Sequence, residues 1–286
     1  MLATLGFMTS VPAATSATRK SRPQTSLTVL RREQLSRHMV RIIAGGPGFA
    51  GYVNNDFVDR YVKIVFPQPG IDYPEPLDLW EIRESMPRDQ WPHTRTYTVR
   101  WVDTAAGELA IDFVIHGDEG LAGPWAASAR AGDALTFTGP GGGYNPDPAA
   151  DWYLFAGDES ALPAIGASIE SLPEDACGLA FLEVDGEADI QAIAAPAGVE
   201  LRWLLRSGVP AGASELLVSA VRDATWPEGR VQVFAHGERG YMKSLREVLY
   251  AQRGLERSQV SLSGYWARGR VEDDFQAEKK LPIGKI

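Results

Sequence analysis

The sequence predicts two units in series, an antiparallel six-stranded β-barrel followed by a mostly parallel α/β domain. Between about residues 26 and 140, short strands separated by turn residues predominate, with one small helix. Beyond about residue 150, apolar strands alternate with helices, the rhythm of βαβ units. The Gly- and Pro-rich stretch GGGYNPDPAAD indicates a linker between them. We therefore expect a disordered tail over 1–25, a barrel over 26–145 and an α/β domain over 150–286.

The barrel strands follow from the pattern of β-branched and aromatic residues. LTVLRREQLSRHMVRIIAGG begins with strand signals, and RYVKIVFPQPG is a strand that two prolines end. RTYTVRWVD and GELAIDFVIHG form a predicted hairpin through residues 104–107. A short helix over residues 125–130 and one more strand complete the barrel.

The second unit begins with the apolar strand WYLFAGD and the helix ESALPAIGASIESLP. The strands CGLAFLEVDG and VELRWLLRSG follow, then the helix ELLVSAVRDATW and the strand GRVQVFAHGE. The helix RGYMKSLREVLYAQRG and the strand QVSLSGYW end the pattern. We expect Cys177, at a strand start, to be a buried apolar residue and no redox thiol.

Composition excludes several classes of function. The 286-residue chain has a net charge of -9, which gives no basic surface for nucleic acid. One cysteine and four scattered histidines predict no disulfide framework and no protein-held metal. No apolar run reaches the length of a membrane span, and the N-terminal segment has no early Lys or Arg, which favours an unstructured tail over a secretory signal.

The strand RTYTVR places two cations and a phenol where a half-buried strand normally has aliphatic side chains. A barrel ahead of a nucleotide-type α/β domain is a recurring way to hold a flavin against a nicotinamide. Arg95 would bind phosphate oxygens, Tyr97 would lie against the ring system, Thr98 would approach its reactive nitrogen, and Arg100 would be a second cation. The alternative is an exposed strand whose arginines pair with surface carboxylates.

Two turns carry further candidate binding residues. In HGDEGLAGPWAASA, glycines and Pro124 start a helix whose free N–H groups suit a pyrophosphate. The alternatives are an ordinary helix-capping turn and a structural role for His116. In FAGDESALPAIG, residues 158–160 follow a strand at the edge where open α/β sheets bind ligands. Here a plainly capped helix is the alternative.

Taken together, these stretches resemble the siderophore-interacting protein family, flavin-dependent ferric-siderophore reductases related to ferredoxin reductases. The resemblance rests on the order of YVKIVFP, RTYTVR, HGDEGLAGPWAASARAGD, GDESALPAI, RWLLR, AHGERGYMKSLREVL and SGYWARGR. It covers about residues 26–270, and departs from the family where GLAG replaces GPAS and AHGE replaces AGEA. It implies FAD on the barrel and NADH or NADPH on the α/β domain.

The resemblance also implies site residues, none of them a catalytic acid or base. Those for the two cofactors are Arg95, Tyr97, Thr98, Arg100, His116, Asp118, Gly123, Pro124, Trp125, Ala126, Asp158, Glu159, Ser160, His236, Gly237, Glu238, Tyr265 and Trp266. A local basic patch of Lys63, Arg268 and Arg270 is the candidate for an anionic substrate, with solvated surface charges as the alternative. The 2′-phosphate of NADPH would meet Arg202, Arg206 or Arg239, and the sequence does not choose.

The expected reaction is hydride transfer from the nicotinamide to the flavin, then single-electron transfer to Fe(III) in a siderophore. We expect a monomer in the cytoplasm that binds no membrane. Two alternatives stay open. One is a flavin or ferredoxin-reductase-like enzyme with another acceptor, and the other is a siderophore-binding protein without catalysis.

Overall fold

The structure, a computed structural model, describes residues 23–116 and 120–286. Residues 1–22 of the predicted tail lie outside the described residues, and so does Asp118. The first strand begins at Gln24, two residues before the predicted start of the barrel.

Six antiparallel strands close into a barrel, as predicted. They are β1 (Gln24–Ser36), β2 (Met39–Gly45), β3 (Tyr61–Phe66), β4 (His93–Asp103), β5 (Glu108–Val114) and β6 (Ala134–Gly141). Their order around the barrel is β1-β2-β5-β4-β3-β6. Alternate residues of the strands point inward, and a core of Ile42, Ile64, Ile111 and Phe137 is almost fully buried. Burial of this apolar surface is the main stabilising contribution to the barrel.

Two short helices lie between barrel strands. Helix α1 (Leu79–Ser85) follows β3, and Asp78 caps it by accepting hydrogen bonds from the N–H groups of Trp80 and Glu81. Helix α2 (Ala122–Ser128) follows β5 and begins three residues before the predicted helix. Helix α1 is absent from the sequence prediction because seven residues between prolines give too short a helical pattern.

The second unit is a parallel five-stranded sheet with helices, again as predicted. In chain order its elements are β7 (Trp152–Gly157), α3 (Leu162–Glu170), β8 (Cys177–Val184), β9 (Gly198–Leu205), α4 (Leu216–Asp223), β10 (Val231–Glu238), α5 (Arg239–Arg246), β11 (Val260–Trp266) and α6 (Glu272–Glu278). The strand order is β11-β10-β7-β8-β9, so β7 is central. Every residue of β7 is buried, which explains its continuous apolar sequence.

Two features of this unit differ from the expectations. Cys177 is exposed at the first position of β8, so the prediction of a buried residue is wrong; the side chain of a strand's first residue escapes the cover of the helices. Helix α6 follows the last predicted strand, and its Phe275 is buried although its neighbours are charged. Within the described ranges, no helix combines the length and hydrophobicity that a bilayer crossing requires.

Candidate active site

Strand β4 presents Arg95 and Tyr97 beside the second unit. The guanidinium of Arg95 forms an ion pair with Asp273 of α6, with N–O distances of 3.3 and 3.4 Å. Asp273 is more than half exposed, so this pair is weak and can yield to a phosphate. The ring of Tyr97 packs on Phe113 with a centroid distance of 4.4 Å, and burial raises the pKa of its phenol.

Thr98 connects β4 to the end of β11. It is buried, and its side chain lies against the Tyr265 phenol, whose pKa it acts to lower. Burial raises the pKa of the Tyr265 phenol, which therefore stays protonated at neutral pH. The strand predicted to hold the flavin therefore directly contacts the sheet strand whose end was predicted to face it.

Arg100 is engaged elsewhere. It forms a bidentate ion pair with Glu170 of α3 at 2.6 and 2.7 Å, and lies 4.0 Å from the buried Asp112. A β-bulge between Val99 and Trp101 changes the direction of the strand at this point. Its predicted role as a second cation near phosphate or ribose would require Arg100 to leave this pair, which joins the barrel to α3.

Helix α2 brings the Gly-rich stretch to the same side of the barrel. Trp125 packs on Phe113 at 5.5 Å, so it shares this neighbour with Tyr97. Gly123 approaches the carbonyl of Val114 closely enough that a Cβ would lie 3.3 Å from it. Pro124 lies in the first turn, and Ala126 is fully buried in the barrel core.

The start of α2 carries backbone donors. Among the described residues, which exclude 117–119, no side chain caps these N-terminal N–H groups. His116 lies just after β5, and desolvation lowers the pKa of its ring, with Glu159 and Arg206 among the charges acting on it.

Asp158 holds three strand ends together at the carboxyl edge of the sheet. Its carboxylate accepts hydrogen bonds from the N–H and hydroxyl of Ser160, from the N–H of Glu238 at 2.8 Å and from the Trp266 indole at 2.9 Å. Gly237 passes so close that a Cβ would lie 2.8 Å from the carboxylate. Burial raises the pKa of Asp158 to about 6.

His236 and Glu238 lie at the same edge on β10. Burial lowers the pKa of His236 to about 3, so the imidazole is neutral. Its Nε2 pairs with the Ser261 hydroxyl at 2.9 Å, while its Nδ1 has no partner in the described part of the chain. The Glu238 side chain caps α5 and also accepts from the N–H of Arg268 at 3.1 Å.

Glu159 belongs to a buried ion pair. It binds Arg206 of the loop after β9 in a bidentate manner, at 2.7 and 2.8 Å, and Arg206 also lies 3.7 Å from Glu183. All three side chains are at most 6% exposed. Glu159 is therefore committed to Arg206 and not to a ligand in this geometry.

The three candidate substrate cations differ in availability. Within the described residues, the ammonium of Lys63 donates to the Thr96 hydroxyl at 3.2 Å and forms no ion pair. Arg268 is exposed and its side chain forms no hydrogen bond or ion pair with other described residues, whereas Arg270 pairs with Glu278 at 2.6 Å. Lys279 of the C-terminal segment adds a further cation, whose pKa is lowered by burial and, to a smaller extent, by the charge of Lys63.

Comparison with known proteins gives this geometry a family. Residues 150–269 match the family model of the siderophore-interacting protein, and residues 28–144 match that of the siderophore-interacting FAD-binding domain. The chain is also 33% identical to the ferric vibriobactin reductase ViuB of Vibrio cholerae, over 89% of this chain and 93% of ViuB. It belongs to the siderophore-interacting protein family.

Two further relatives of the present chain extend the comparison. The NADPH-dependent ferric-chelate reductase of Escherichia coli is 31% identical, over 84% of this chain and 91% of that protein. The crystal structure of a siderophore utilization protein from T. fusca superposes with a TM-score of 0.76 at 37% identity, covering 88% of this chain and 96% of that one. The chain is therefore a flavin-dependent oxidoreductase, and its barrel carries the FAD-binding domain of the family.

Several residues of the candidate site in this chain are missing from the sequence prediction. Asp273 and Lys279 reach β4 and Lys63 only because α6 folds back onto the barrel. Glu183 and Ser214 complete the buried network at the carboxyl edge, where the Ser214 hydroxyl donates to Glu183 at 2.5 Å. The acidic first turn of α6, EDD, is a sequence signal for a helix start, but nothing local indicates where that helix docks.

Proposed function

We propose that this protein reduces Fe(III) bound to a siderophore with electrons from NADH or NADPH, and thereby releases Fe(II). One observation carries the proposal: the predicted flavin strand and the carboxyl edge of the parallel sheet meet through the Thr98–Tyr265 contact. Electron donor and acceptor sites of such a reductase must adjoin in this way. The reactions printed in the names of ViuB and the E. coli reductase agree with this assignment.

The side chains at the edge of the barrel have the chemistry that FAD requires. Arg95 supplies a cation in a weak pair, the start of α2 supplies N–H groups that no described side chain caps, and Tyr97 with Trp125 supplies flat apolar surface. The buried and unpartnered Nδ1 of His236 is a further polar atom without a protein partner in the described ranges. We therefore propose Arg95, Tyr97, Thr98 and residues 123–125 as FAD contacts, whereas Ala126 is fully buried in the barrel core.

FAD, when bound, accepts a hydride and passes on single electrons, which suits a two-electron donor and a one-electron acceptor. The residues of this chain supply binding and orientation. Arg95 holds phosphate, Tyr97 and Thr98 fix the ring system, and Asp158 with Trp266 shapes the nicotinamide side. No residue has to move a proton for electron transfer to Fe(III). Oxygen-rich chelators bind Fe(II) weakly, so reduction frees the metal.

Lys63 and Arg268 are the cations that we propose for substrate contact. Both lie outside strong ion pairs in the described structure, whereas Arg270 is held by Glu278. An anionic or neutral ferric chelate needs such a local patch on a protein of net charge -9. We further propose a monomer acting in the cytoplasm, where reduced nicotinamide is available.

An absorbance spectrum and a turnover assay test the function. The purified protein is expected to be yellow or to take up added FAD, and a ferric siderophore is expected to accelerate its NAD(P)H oxidation. A flavoprotein that no ferric chelate accelerates, but that reduces free flavin or a quinone, would make it a reductase with another acceptor. A protein that binds the siderophore but fails to take up FAD would contradict the proposal and favour a non-catalytic role.

A further inference from the structure

The three arginines that could read a 2′-phosphate are already engaged. Arg202 pairs with Glu200 at 2.8 Å and lies in the middle of β9, away from its carboxyl end. Arg206 is buried in its pair with Glu159. Arg239 pairs with Glu278 and lies over the ring of Phe275. Its position in the middle of β9 keeps Arg202 from a phosphate at the carboxyl edge of the sheet, and their largely buried pairs keep Arg206 and Arg239 from one.

A carboxylate is available at that edge instead. Asp185 directly follows β8, the neighbour of the central strand, and its side chain forms no hydrogen bond within the described residues. Its carbonyl accepts from the N–H of Ser207, which has a φ of 53°. This tight connection between the ends of β8 and β9 fixes Asp185 where nucleotide ligands bind in open parallel sheets.

The surroundings of Asp185 are mainly acidic, and the one described arginine whose charge acts with it, Arg206, is already paired with Glu159. Its carboxylate lies within 4.8 Å of ligand-type atoms of His38 and Asp189, and Asp189 is already hydrogen-bonded to His38 at 3.0 Å. Glu187 is exposed in the same loop. A phosphate dianion placed here would meet several carboxylates, whereas the two hydroxyls of an unmodified ribose can donate to one of them.

We propose that Asp185 binds the 2′-hydroxyl of the adenosine ribose and selects NADH over NADPH. The inference rests on the proposed function only in that the sheet binds a nicotinamide dinucleotide. The proposed preference for NADH differs from the NADPH in the name of the E. coli relative. The physical reason is that the arginines that could bind the 2′-phosphate of NADPH are not available to it.

Calorimetric titration of the FAD-loaded protein with ADP-ribose and with its 2′-phosphorylated form tests this selection. We expect the unphosphorylated probe to bind more tightly by about tenfold, the value of one hydrogen bond to a charged acceptor. Asp185→Asn is expected to reduce this ratio to near one. Glu187→Gln removes an exposed, solvent-screened carboxylate from the same loop and is expected to change the ratio much less than Asp185→Asn does.

Three results would overturn the inference: equal or tighter binding of the phosphorylated probe, an unchanged ratio in Asp185→Asn, or binding of neither probe. An exposed cation beside the loop is Arg37, whose backbone N–H donates to the carbonyl of Ala188 at 3.0 Å. If the protein preferred the phosphorylated probe and Arg37→Ala abolished that preference, Arg37 would select NADPH over NADH. Both probes contain neither nicotinamide nor iron, so a failed ferric-reduction assay leaves this measurement intact.

Discussion

At the scale of single residues, Asp158 has the most consequential environment. Its carboxylate is almost fully buried and joins the ends of β7, β10 and β11 through hydrogen bonds to Ser160, Glu238 and Trp266. Burial raises its pKa to about 6, against the ordinary value of 3.8. At neutral pH the Asp158 carboxylate is therefore ionised although burial disfavours its charge. The hydrogen bonds from the three donors partly offset this penalty.

We expect Asp158 to make stability depend on pH. Because its pKa is higher in the folded state than in the unfolded state, its stabilising contribution is complete below about pH 4 and lost as the pH rises through about 6. The free energy of unfolding of the wild type relative to Asp158→Asn should fall by about 3 kcal/mol across this window. Urea unfolding at a series of pH values measures it.

The exposed Asp223 provides the control for this measurement. Its pKa is lowered by Arg222, the opposite direction, and it lies on the surface of α4. Asp223→Asn should reproduce the pH dependence of the wild type. A relative stability of Asp158→Asn that is constant with pH would show that Asp158 does not titrate in this range.

Arg95 and Tyr97 are expected to contribute differently to flavin binding. Arg95→Ala should raise the dissociation constant for FAD by about tenfold or more, because a charge-assisted hydrogen bond to phosphate is lost. Tyr97→Ala should retain more flavin and chiefly change its absorbance and the turnover rate. Fluorescence titration of the apoprotein with FAD measures both constants.

An arginine outside the proposed site serves as the matched control. Arg88 is exposed, its side chain pairs with no other described residue, and Arg88→Ala should bind FAD as the wild type does. If Arg95→Ala and Tyr97→Ala both keep normal flavin content and activity, β4 is only a structural strand.

At the scale of elements, α3 is held to the barrel by an ion-pair network. Arg100 binds Glu170, and Asp112 lies between Arg100 and Arg41, which binds it in a bidentate manner at 2.6 and 2.8 Å. Helix α3 has a glycine at this contact, Gly166, where a Cβ would lie 3.0 Å from the guanidinium of Arg100. The network therefore sets how closely the first helix of the sheet unit approaches β4.

Arg100→Ala should reduce the free energy of unfolding by about 2 kcal/mol while leaving FAD affinity unchanged. The reason is that Asp112 is 2% exposed and loses one of its two cations. Glu170→Gln, at the exposed end of the network, should cost less than about 1 kcal/mol. Denaturant unfolding with FAD titration checks both variants. Lost FAD affinity at unchanged stability would restore Arg100 as a phosphate contact.

At the scale of the whole molecule, a net charge of -9 opposes an anionic substrate, and only a local patch can offset it. Lys63→Ala should raise the KM for an anionic ferric chelate by about two- to fivefold and change that for a neutral one less. The KM for the nicotinamide donor should not change. Steady-state kinetics with the two kinds of chelate measure this difference.

The control for Lys63 removes one positive charge far from the proposed site. Arg257 precedes β11, at the amino edge of the sheet and opposite the strand ends that carry Asp158 and Trp266. Arg257→Ala should therefore leave both KM values unchanged. An equal effect of the two variants would show that only the net charge matters.

A barrel followed by a parallel sheet could be predicted because each of them produces a local periodicity of apolar residues in the sequence. Strand alternation and βαβ rhythm depend on which side chains must be buried, and this is a property of neighbouring residues. For the same reason RTYTVR and GDES could be recognised as candidate sites. Helix α1 and the docking of α6 could not be predicted, because short helices acquire stability from tertiary contacts and not from local pattern.

The sequence by itself therefore determined the two folds, the family and the residues that carry charge at the strand ends. Tertiary structure alone decided which of these charges are available. The sequence does not distinguish Arg95 from Arg100, Arg206 and Arg239. In the folded structure the last three are bound in strong or buried ion pairs, whereas Arg95 pairs with an exposed carboxylate. The reason is that an ion pair requires two groups within about 4 Å, and partners distant in sequence meet only when the chain has folded.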